Sequence, residues 1–229
     1  MILATDKGTS SVFRLNLGSN QADKLTASFS EPENIATFDS GFYVQTKDGV
    51  VRLDSAGEKA TTVANNASWG QIVGAAGYTT NLYLLDKGKG EIWRYFGSKS
   101  GLSSGQAYIS GDKPDLSDAS AISIDGLVWV TTHKGNIYKF AQGKKQDFSL
   151  SNLNDSLGDI VDIYTSPDTK NHYLLDQGKG RVVIVSKDGV YQAQYSHQNL
   201  HQATSLVVQE DRKTVYFAAN GKLYSFKFR

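Results

Sequence analysis

Apolar and polar residues alternate along most of this chain, in short runs separated by glycine-containing turns. Six hairpin-like segments follow this pattern, and the two most similar ones, residues 83–95 and 173–185, both begin with Tyr-Leu-Leu-Asp. The looser copies are residues 2–15, 42–53, 128–140 and 215–226. Alternation with a period of two residues is typical of β-strands that bury one face. The sequence therefore predicts an almost entirely β protein built from repeated hairpins.

The turns of the six copies recur at nearly regular intervals. Successive turn glycines are 41, 39, 47, 43 and 43 residues apart, and these glycines are Gly8, Gly49, Gly88, Gly135, Gly178 and Gly221. Such a period is typical of propeller blades and of some helical arrays, and the strand-like alternation favours the propeller. We therefore predict a six-bladed β-propeller.

Further short apolar runs flank the hairpins and predict the remaining strands of each blade. Small and apolar runs before the hairpins predict inner strands at residues 35–38, 72–76, 121–124, 160–164 and 204–208. Weaker runs after the hairpins predict outer strands at residues 25–29, 61–64, 106–109, 147–150 and 190–195. The order inner, middle, middle, outer is that of a four-stranded antiparallel blade. We expect one domain with repeats at approximately 1–30, 31–67, 68–114, 115–155, 156–198 and 199–229.

The first and last predicted blades are incomplete. The first repeat lacks an inner strand and the last lacks an outer strand, so the two missing strands occupy different radial positions. One interpretation is that Met1 marks the edge of a domain excised from a longer protein, with native sequence removed upstream. The other is that the first blade has three strands and the ring tolerates this.

Composition narrows the classes of function. The chain has 24 Lys and Arg residues against 23 Asp and Glu residues, so no global field favours nucleic acid or an anionic membrane surface. The absence of cysteine excludes disulfides, thiolate metal sites and a cysteine nucleophile. No apolar run approaches the length of a membrane-spanning helix. We expect a soluble, monomeric domain that does not insert into a membrane, and its compartment stays open.

Residues 82–95 carry a family resemblance: a tyrosine-bearing strand, the turn Asp86-Lys87-Gly88 and a strand led by Ile92. This segment resembles the repeats of the NHL and TolB-like class of six-bladed propellers. The chain departs from the pattern where Thr46 and Ala219 replace the turn aspartate. The resemblance implies scaffolding, ligand sensing or, in some relatives, lactone or ester hydrolysis. Bacterial propellers of this class are often joined to receptor kinases, phosphatases or envelope proteins, which favours an extracytoplasmic location.

We expect ligands at the face of the ring where the hairpin turns and the loops before the inner strands converge. The candidate binding residues there are Asn34, Trp69, Lys89, Asp118, His133, Asp159, Lys179, Arg181 and His201. The basic turn residues could attract an anionic peptide or sugar, or could simply be solvated while nearby acids cancel their field. Trp69 could stack on a sugar or clamp a peptide, or could fill the core at the tunnel mouth.

Several acidic and amide side chains on this face allow a metal hypothesis. Asn34, Asp118, Asp159 and His201 precede inner strands, which resembles the metal-bearing centre of six-bladed lactonases. Oxygen ligands of this kind suit Ca²⁺ or Mg²⁺, although Asn and Asp are also common in turns before strands. Asp86 and Asp176 are different, because we expect them to accept hydrogen bonds from turn amides. The four histidines lack zinc-ligand spacing.

These observations favour a noncatalytic module that binds a ligand or a protein, as a sensor or scaffold domain of a larger bacterial protein. This interpretation requires no cofactor. The first alternative is a metal-dependent lactonase or esterase that uses Ca²⁺ in the central tunnel. The second is a glycan-binding, lectin-like propeller, and a third is a spacer or assembly platform.

Overall fold

In a computed structural model of the chain, which describes residues 2–19, 21–64, 69–98 and 101–229, antiparallel β-sheets account for nearly all regular structure. A short 3₁₀ helix at Gln198–Gln202 is the one helical element of these residues. The prediction of an all-β protein is confirmed. The chain divides into an N-terminal unit, Met1–Tyr108, and a C-terminal unit, Ile109–Arg229.

In its described residues, the N-terminal unit contains three sheets and one small hairpin. Sheet 1 consists of β1 (Ile2–Asp6), β2 (Ser11–Asn16) and β3 (Gln21–Lys24). Sheet 2 consists of β4 (Asn34–Phe38), β5 (Gly41–Thr46), β6 (Gly49–Asp54) and β7 (Lys59–Ala64). Sheet 3 consists of β8 (Ile72–Tyr78), β9 (Asn81–Asp86), β10 (Glu91–Tyr95) and β13 (Gln106–Ala107). Between β10 and β13, β11 (Gly97–Ser98) and β12 (Gly101–Leu102) pair with each other.

The C-terminal unit contains three further sheets. Sheet 4 consists of β14 (Ala119–Ile124), β15 (Val128–Thr132), β16 (Ile137–Ala141) and β17 (Lys144–Gln146). Sheet 5 consists of β18 (Ile160–Tyr164), β19 (Asn171–Asp176), β20 (Arg181–Ser186) and β21 (Tyr191–Ser196). Sheet 6 consists of β22 (Ala203–Gln209), β23 (Thr214–Ala219) and β24 (Lys222–Lys227).

The middle strand β19 is buried on both faces because it lies between two neighbouring sheets of the C-terminal unit. In β19, Leu174 packs with Trp129 of sheet 4, whereas the next residue, Leu175, packs with Phe217 of sheet 6. Alternate side chains of a strand project to opposite faces, so consecutive leucines serve two different cores. Fully burying one leucine side chain contributes roughly 1.5 to 3 kcal/mol, so each of these two contacts stabilises the stack of sheets.

Small residues allow neighbouring inner strands to approach closely. A Cβ atom added to Gly77 of β8 would lie 1.8 Å from the carbonyl oxygen of Thr37 in β4. No larger residue fits there without movement of the backbone. This contact agrees with the expectation that small side chains belong on the inner strands.

The inner strands β8, β14, β18 and β22 share an irregularity of register near their first residues. In β18 the shift lies between Ile160 and Asp162. The carboxylate of Asp162 accepts the N–H of Leu206 in β22 at 2.8 Å and the N–H of Ile163 at 2.8 Å. Burial raises the pKa of Asp162 to about 7, while these two hydrogen bonds act in the opposite direction. Asp162 therefore joins sheets 5 and 6 through an unusually basic carboxylate.

Two predicted outer strands are wrong. Residues 25–29 are not a strand, since β3 is Gln21–Lys24, and residues 147–150 are not a strand, since β17 is Lys144–Gln146. All residues of both observed strands are exposed. The apolar residues that suggested strands instead cover neighbouring cores, as Leu25 and Phe29 do in the N-terminal unit. The repeat boundaries and the single-domain organisation stay predictions.

Candidate functional site

In the C-terminal unit, hairpin turns lie against the loops that lead into the inner strands. The N–H of His133, in the β15–β16 turn, donates to the carbonyl oxygen of Asp118 at 3.0 Å. Gln177, in the β19–β20 turn, donates its N–H to the carbonyl oxygen of Asp159 at 2.8 Å and its Nε2 to that of Ala203 at 2.8 Å. We call the surface formed in this way the turn face; it comprises residues 115–118, 133–136, 155–159, 177–180 and 197–202.

His133 and Asp159 form a partly exposed pair on the turn face. Nδ1 of His133 lies 2.7 Å from Oδ1 of Asp159, and the two side chains are 43% and 45% exposed. The backbone near the pair is also fixed, because the carbonyl oxygen of His133 accepts the N–H of Ile160 at 3.2 Å. A polar pair held in this way can hydrogen-bond a ligand with little additional ordering cost.

The corner of the turn face beside sheet 4 is acidic. Oδ2 of Asp118 accepts the N–H of Lys134 at 3.0 Å. Oδ1 of Asp115 accepts the N–H of Ser117 at 2.9 Å, and hydrogen bonding by Ser117 lowers the pKa of Asp115. Burial raises the pKa of Tyr138, and the charges of Asp115 and Asp118 raise it further. Tyr138 therefore stays a neutral hydroxyl beside two carboxylates.

His201 lies beside the β19–β20 turn and is exposed. Its Nδ1 is 3.2 Å from the carbonyl oxygen of Gln177. Its ring covers Gly180, whose φ is +60°, and a Cβ added there would lie 2.4 Å from the Nε2 of His201. His197 has a structural role instead, since it caps the 3₁₀ helix and packs against Phe217 at 5.4 Å between ring centroids.

Arg181 is not at the surface, so the expectation that it contacts ligands from an exposed turn is corrected. Its side chain is 5% exposed, and its Nε donates to Oδ2 of Asp176 at 2.8 Å. Nη1 donates to Oε1 of Gln194 at 2.7 Å, and Nη2 donates to the carbonyl oxygen of Ser156 at 2.8 Å. Arg181 is the first residue of β20 and pairs with Asp176 in the hairpin, which places its side chain on the buried side.

Three of the turn lysines, Lys7, Lys47 and Lys179, form ion pairs with neighbouring acids. Nζ of Lys179 donates to Oδ1 of Asp155 at 2.6 Å and to the carbonyl oxygen of Ser156 at 2.5 Å. In the N-terminal unit, Nζ of Lys7 lies 2.5 Å from Oε1 of Glu33. Lys89 is exposed, and no ion pair of its side chain is found within the described residues. These contacts favour the interpretation in which nearby acids cancel part of the lysine field.

Asp86 and Asp176 hold turns and loops together, as predicted. Asp86 accepts the N–H groups of Gly70 at 2.7 Å, Gln71 at 2.9 Å and Lys89 at 3.1 Å. It also accepts the indole N–H of Trp93 at 3.0 Å.

The equivalent acid of sheet 5 makes similar contacts. Asp176 accepts the N–H groups of Gly158 at 3.1 Å and Lys179 at 3.2 Å, in addition to the Nε of Arg181. Neither aspartate is exposed to solvent.

The remaining two candidates lie in the N-terminal unit. Nδ2 of Asn34 donates to Oε1 of Gln45 at 2.7 Å. Nε1 of Trp69 donates to the hydroxyl of Tyr95 at 2.7 Å, and the two rings meet edge to face with centroids 6.3 Å apart. Trp69 is half-buried and packs on the core shared by sheets 2 and 3. This packing favours the core-filling alternative for Trp69.

A metal centre was the other hypothesis for these residues. Among residues 2–19, 21–64, 69–98 and 101–229, no three His, Asp or Glu side chains are grouped as they would be around a metal ion. The carboxylate of Asp159 is engaged by His133, and that of Asp118 by the N–H of Lys134. Calcium binding stays a prediction.

Sequence reasoning missed two contributors to the turn face and a neighbouring groove. Gln177 joins two loops through its N–H and side-chain amide, and Asp155 pairs with Lys179. An open groove of about 360 Å³ lies between Tyr138, Lys145 and Phe148. Gln177, Asp155 and Phe148 lie in turns or loops, and Lys145 lies on the exposed strand β17, so no periodic signal reveals them.

Several solved structures are similar to this chain. Virginiamycin B lyase from Staphylococcus aureus is similar with a TM-score of 0.63 and 15% identity, over 97% of this chain and 75% of that chain. A streptogramin B lyase is similar with a TM-score of 0.67 and 10% identity, over 99% of this chain and 79% of the other. A chain of a nidogen/laminin complex is similar with a TM-score of 0.72 and 16% identity, over 92% and 82% of the two chains.

These neighbours and the series of small antiparallel sheets decide the fold. The chain is a β-propeller. Identities of 10–16% establish the fold of this propeller alone, and the number of its blades stays a prediction. Neither a protein-family model nor a curated protein sequence matches the chain. No helix long and apolar enough to cross a membrane is found in the part of the propeller that the structure describes.

Proposed function

We propose that this propeller is a noncatalytic binding module whose contact surface is the turn face of the C-terminal unit. The observation that supports this proposal is the His133–Asp159 pair, whose side chains are joined at 2.7 Å and remain almost half exposed. Its ligand is a peptide or a glycan, since either offers hydrogen-bonding groups to an imidazole and a carboxylate. His201 and Lys134 extend the same polar surface.

Rigidity is the second support for a binding role. The turns and loops of the turn face are connected by backbone hydrogen bonds, including His133 N–H to Asp118 and Gln177 N–H to Asp159. A site already fixed in the free protein avoids the entropy cost of ordering loops during association. A chain of similar fold belongs to a complex of nidogen with laminin, so this architecture is compatible with contacts between proteins.

The biological context that we propose follows the resemblance of residues 82–95 to the NHL and TolB-like class. The module is a sensor or scaffold domain of a larger bacterial protein, acts as a monomer and faces an extracytoplasmic compartment. It needs no cofactor for this role.

Binding is tested with fluorescently labelled protein on a peptide array and on a glycan array. His133→Ala should reduce the signal of true ligands about tenfold, because a central polar contact of a binding site is lost. The matched control is Asp211→Ala, which removes an exposed carboxylate outside the turn face. Specific peptide ligands favour the protein-binding module, and specific sugars favour the lectin-like alternative. Ligands that bind both variants equally, or the absence of hits on both arrays, would reject the turn face.

The second candidate function is hydrolysis of lactones or esters, and the same pair favours it. A histidine whose Nδ1 is paired with a carboxylate is an arrangement that general-base catalysis uses. The enzyme hypothesis adds Ca²⁺, with Asp118 and Asp159 of the C-terminal unit among its ligands. Virginiamycin B lyase, one of the structural neighbours, is an enzyme.

Elemental analysis of the purified protein and a hydrolysis assay test this candidate. Stoichiometric calcium and turnover of a γ-lactone or of p-nitrophenyl acetate, both lost in Asp118→Ala and Asp159→Ala, would establish the enzyme. If the protein contains no calcium and shows no turnover, and if its array binding depends on His133, the enzyme hypothesis is rejected in favour of the binding module.

A further inference from the structure

Sheet 6 presents an edge that differs from the edges of its neighbours. Sheets 4 and 5 have four strands and end on a strand that follows the hairpin, whereas sheet 6 has the order β22-β23-β24. Its edge strand β24 is therefore the second strand of the hairpin itself, and it is six residues long. Within the described residues, β24 pairs with β23 alone.

The turn that joins β23 to β24 determines which backbone groups face outward. Asn220 and Gly221 both have positive φ, at +51° and +69°, as the two-residue type I′ turn requires. The flanking Ala219 and Lys222 then form a hydrogen-bonded pair, and such pairs alternate along an antiparallel ladder. The N–H of Phe228 donates to the carbonyl oxygen of Lys213 at 2.9 Å, so Phe228, like Lys222, directs its backbone groups toward the β23 side. The outward N–H and C=O groups therefore belong to Leu223, Ser225 and Lys227.

The side chains along this edge are suited to a second strand. Tyr224 and Phe226 are partly buried and pack on the core of sheets 5 and 6. Leu223 is 37% exposed, so apolar surface remains open beside the backbone edge. A long edge strand with apolar side chains is a site at which another strand readily adds.

Charge identifies the class of strand that fits. Residues 212–229 contain five basic residues and no acidic residue; the basic ones are Arg212, Lys213, Lys222, Lys227 and Arg229. Two copies of β24 would bring two such segments together, and like charges oppose that pairing. The basic residues of β24 itself are Lys222 and Lys227, at its two ends, and Nζ of Lys227 also donates to the carbonyl oxygen of Arg212 and the hydroxyl of Thr214. An acidic strand would instead gain favourable electrostatic energy at both ends of the edge.

We propose that β24 binds an extended acidic partner segment as a fourth strand of sheet 6. Apolar side chains at alternate positions of the partner would contact Tyr224 and Phe226, and acidic side chains would lie near Lys222 and Lys227. This site is separate from the turn face and does not depend on the function proposed for it.

The experiment uses the whole chain and two fluorescein-labelled peptides of about eight residues, long enough to span the edge. One peptide alternates Val with Glu and the other alternates Val with Lys. Fluorescence anisotropy should show binding of the Glu peptide, weakened severalfold when salt rises from roughly 50 to roughly 500 mM. The Lys peptide should not bind. His133→Ala should leave the binding unchanged, which separates this proposal from the turn face.

Substitutions at Ser225 test the backbone contact. Ser225→Pro removes an outward N–H without removing a bond to β23, and should weaken the Glu peptide about tenfold. Ser225→Ala retains the N–H and should bind like the wild type. If Ser225→Pro does not fold, hydrogen exchange of the wild type replaces it. The Glu peptide should then protect the amides of Leu223, Ser225 and Lys227 beyond their protection in the free protein.

Four results would overturn the proposal. These are equal binding of the two peptides, no binding by the folded wild type, no added protection of the outward amides, and unaltered binding by a folded Ser225→Pro. Analytical ultracentrifugation tests whether a second copy of the chain occupies the edge instead. A wild-type dimer that Ser225→Pro dissociates would assign this edge to a second copy of the chain.

Discussion

Sheets 3 and 5 contain the two most similar hairpins of the chain, and each buries an aspartate at the same position. Asp86 of sheet 3 receives the neutral indole N–H of Trp93, whereas Asp176 of sheet 5 receives the charged guanidinium of Arg181. Both aspartates also accept backbone N–H groups from the preceding loop and from the turn. The two aspartates thus occupy the same local geometry, but the side-chain donor is neutral at Asp86 and charged at Asp176.

The difference determines how far each network extends. Arg181 also contacts Asp155, Ser156 and Gln194, so the ion pair connects the hairpin to the loop of the turn face. The contacts of Trp93 with Asp86 stay within sheet 3 and the loop before it. We therefore expect sheet 5 to be more sensitive than sheet 3 to equivalent substitutions.

Removal of the aspartates should have the largest effect. Asp176→Ala should lower the free energy of unfolding by about 4 kcal/mol, because the buried guanidinium loses its nearest carboxylate. Asp86→Ala should lower it by about 2 kcal/mol, because it leaves neutral N–H groups unsatisfied. Urea denaturation measures both values, with Asp211→Ala as the exposed control. Equal losses would show that the charged donor adds nothing.

Replacement of the side-chain donors Arg181 and Trp93 should also destabilise sheet 5 more than sheet 3, with smaller losses of unfolding free energy than removal of the aspartates. Arg181→Met should cost about 3 kcal/mol, because Asp176 then remains buried with two N–H donors and no positive charge. Trp93→Phe should cost about 1 kcal/mol beyond its packing change, since one hydrogen bond is lost. Thermal denaturation monitored by circular dichroism gives the comparison, and a greater loss for Trp93→Phe would reverse our interpretation.

The inner strands of sheets 3 and 5 should differ in how strongly they make the stability of the protein depend on pH. Asp162 of sheet 5 lies opposite Leu175, and its counterpart in sheet 3, opposite Leu85, is Gly74. The pKa of Asp162 is raised to about 7 in the folded protein, so the folded state binds a proton that the unfolded state has released above about pH 4. Its contribution is present at low pH and is lost as the pH rises through 7.

We expect the free energy of unfolding to fall by roughly 1 to 3 kcal/mol between about pH 5 and about pH 8 through this group alone. Asp162→Asn should remove that part of the slope, and Asp188→Asn, at an exposed site of the same sheet, should retain it. Urea denaturation across this pH range measures the slopes. Parallel profiles of wild type and Asp162→Asn would refute the assignment.

The turn lysines should give the smallest difference. Lys179→Ala should cost about 0.5 kcal/mol at low salt, because it breaks the pair with Asp155, and this cost should vanish at high salt. Lys89→Ala should change the stability by less than about 0.3 kcal/mol. A salt-independent loss at Lys179 would indicate that its contact with the carbonyl oxygen of Ser156 is the important one.

The sequence predicted the hairpins and inner strands well because both bury apolar side chains at fixed intervals. The outer strands were harder, since Gln21–Lys24 and Lys144–Gln146 are exposed and carry no hydrophobic signal. Leu25, Phe29 and Phe148 misled the prediction, because they cover cores without being in strands.

At the candidate site, residue type was a weaker guide than register. Arg181 looks like an exposed turn residue, yet its position opposite Asp176 in the hairpin buries it. The sequence Asp-x-Gly-x-Gly places a four-residue turn between Asp176 and Arg181, so the pairing of these two residues could have been predicted. The His133–Asp159 contact joins residues of different sheets, and no local pattern specifies it.

Apart from the pair of β10 and β13, which spans the small β11–β12 hairpin, every strand pair in the described part of the chain joins two consecutive strands. The loops that close during formation of each sheet are therefore short, which favours rapid folding. Each sheet can begin to form as soon as its own stretch leaves the ribosome, before the later sheets have been synthesised. The sequence order of the strands thus allows assembly to proceed from the N-terminus during translation.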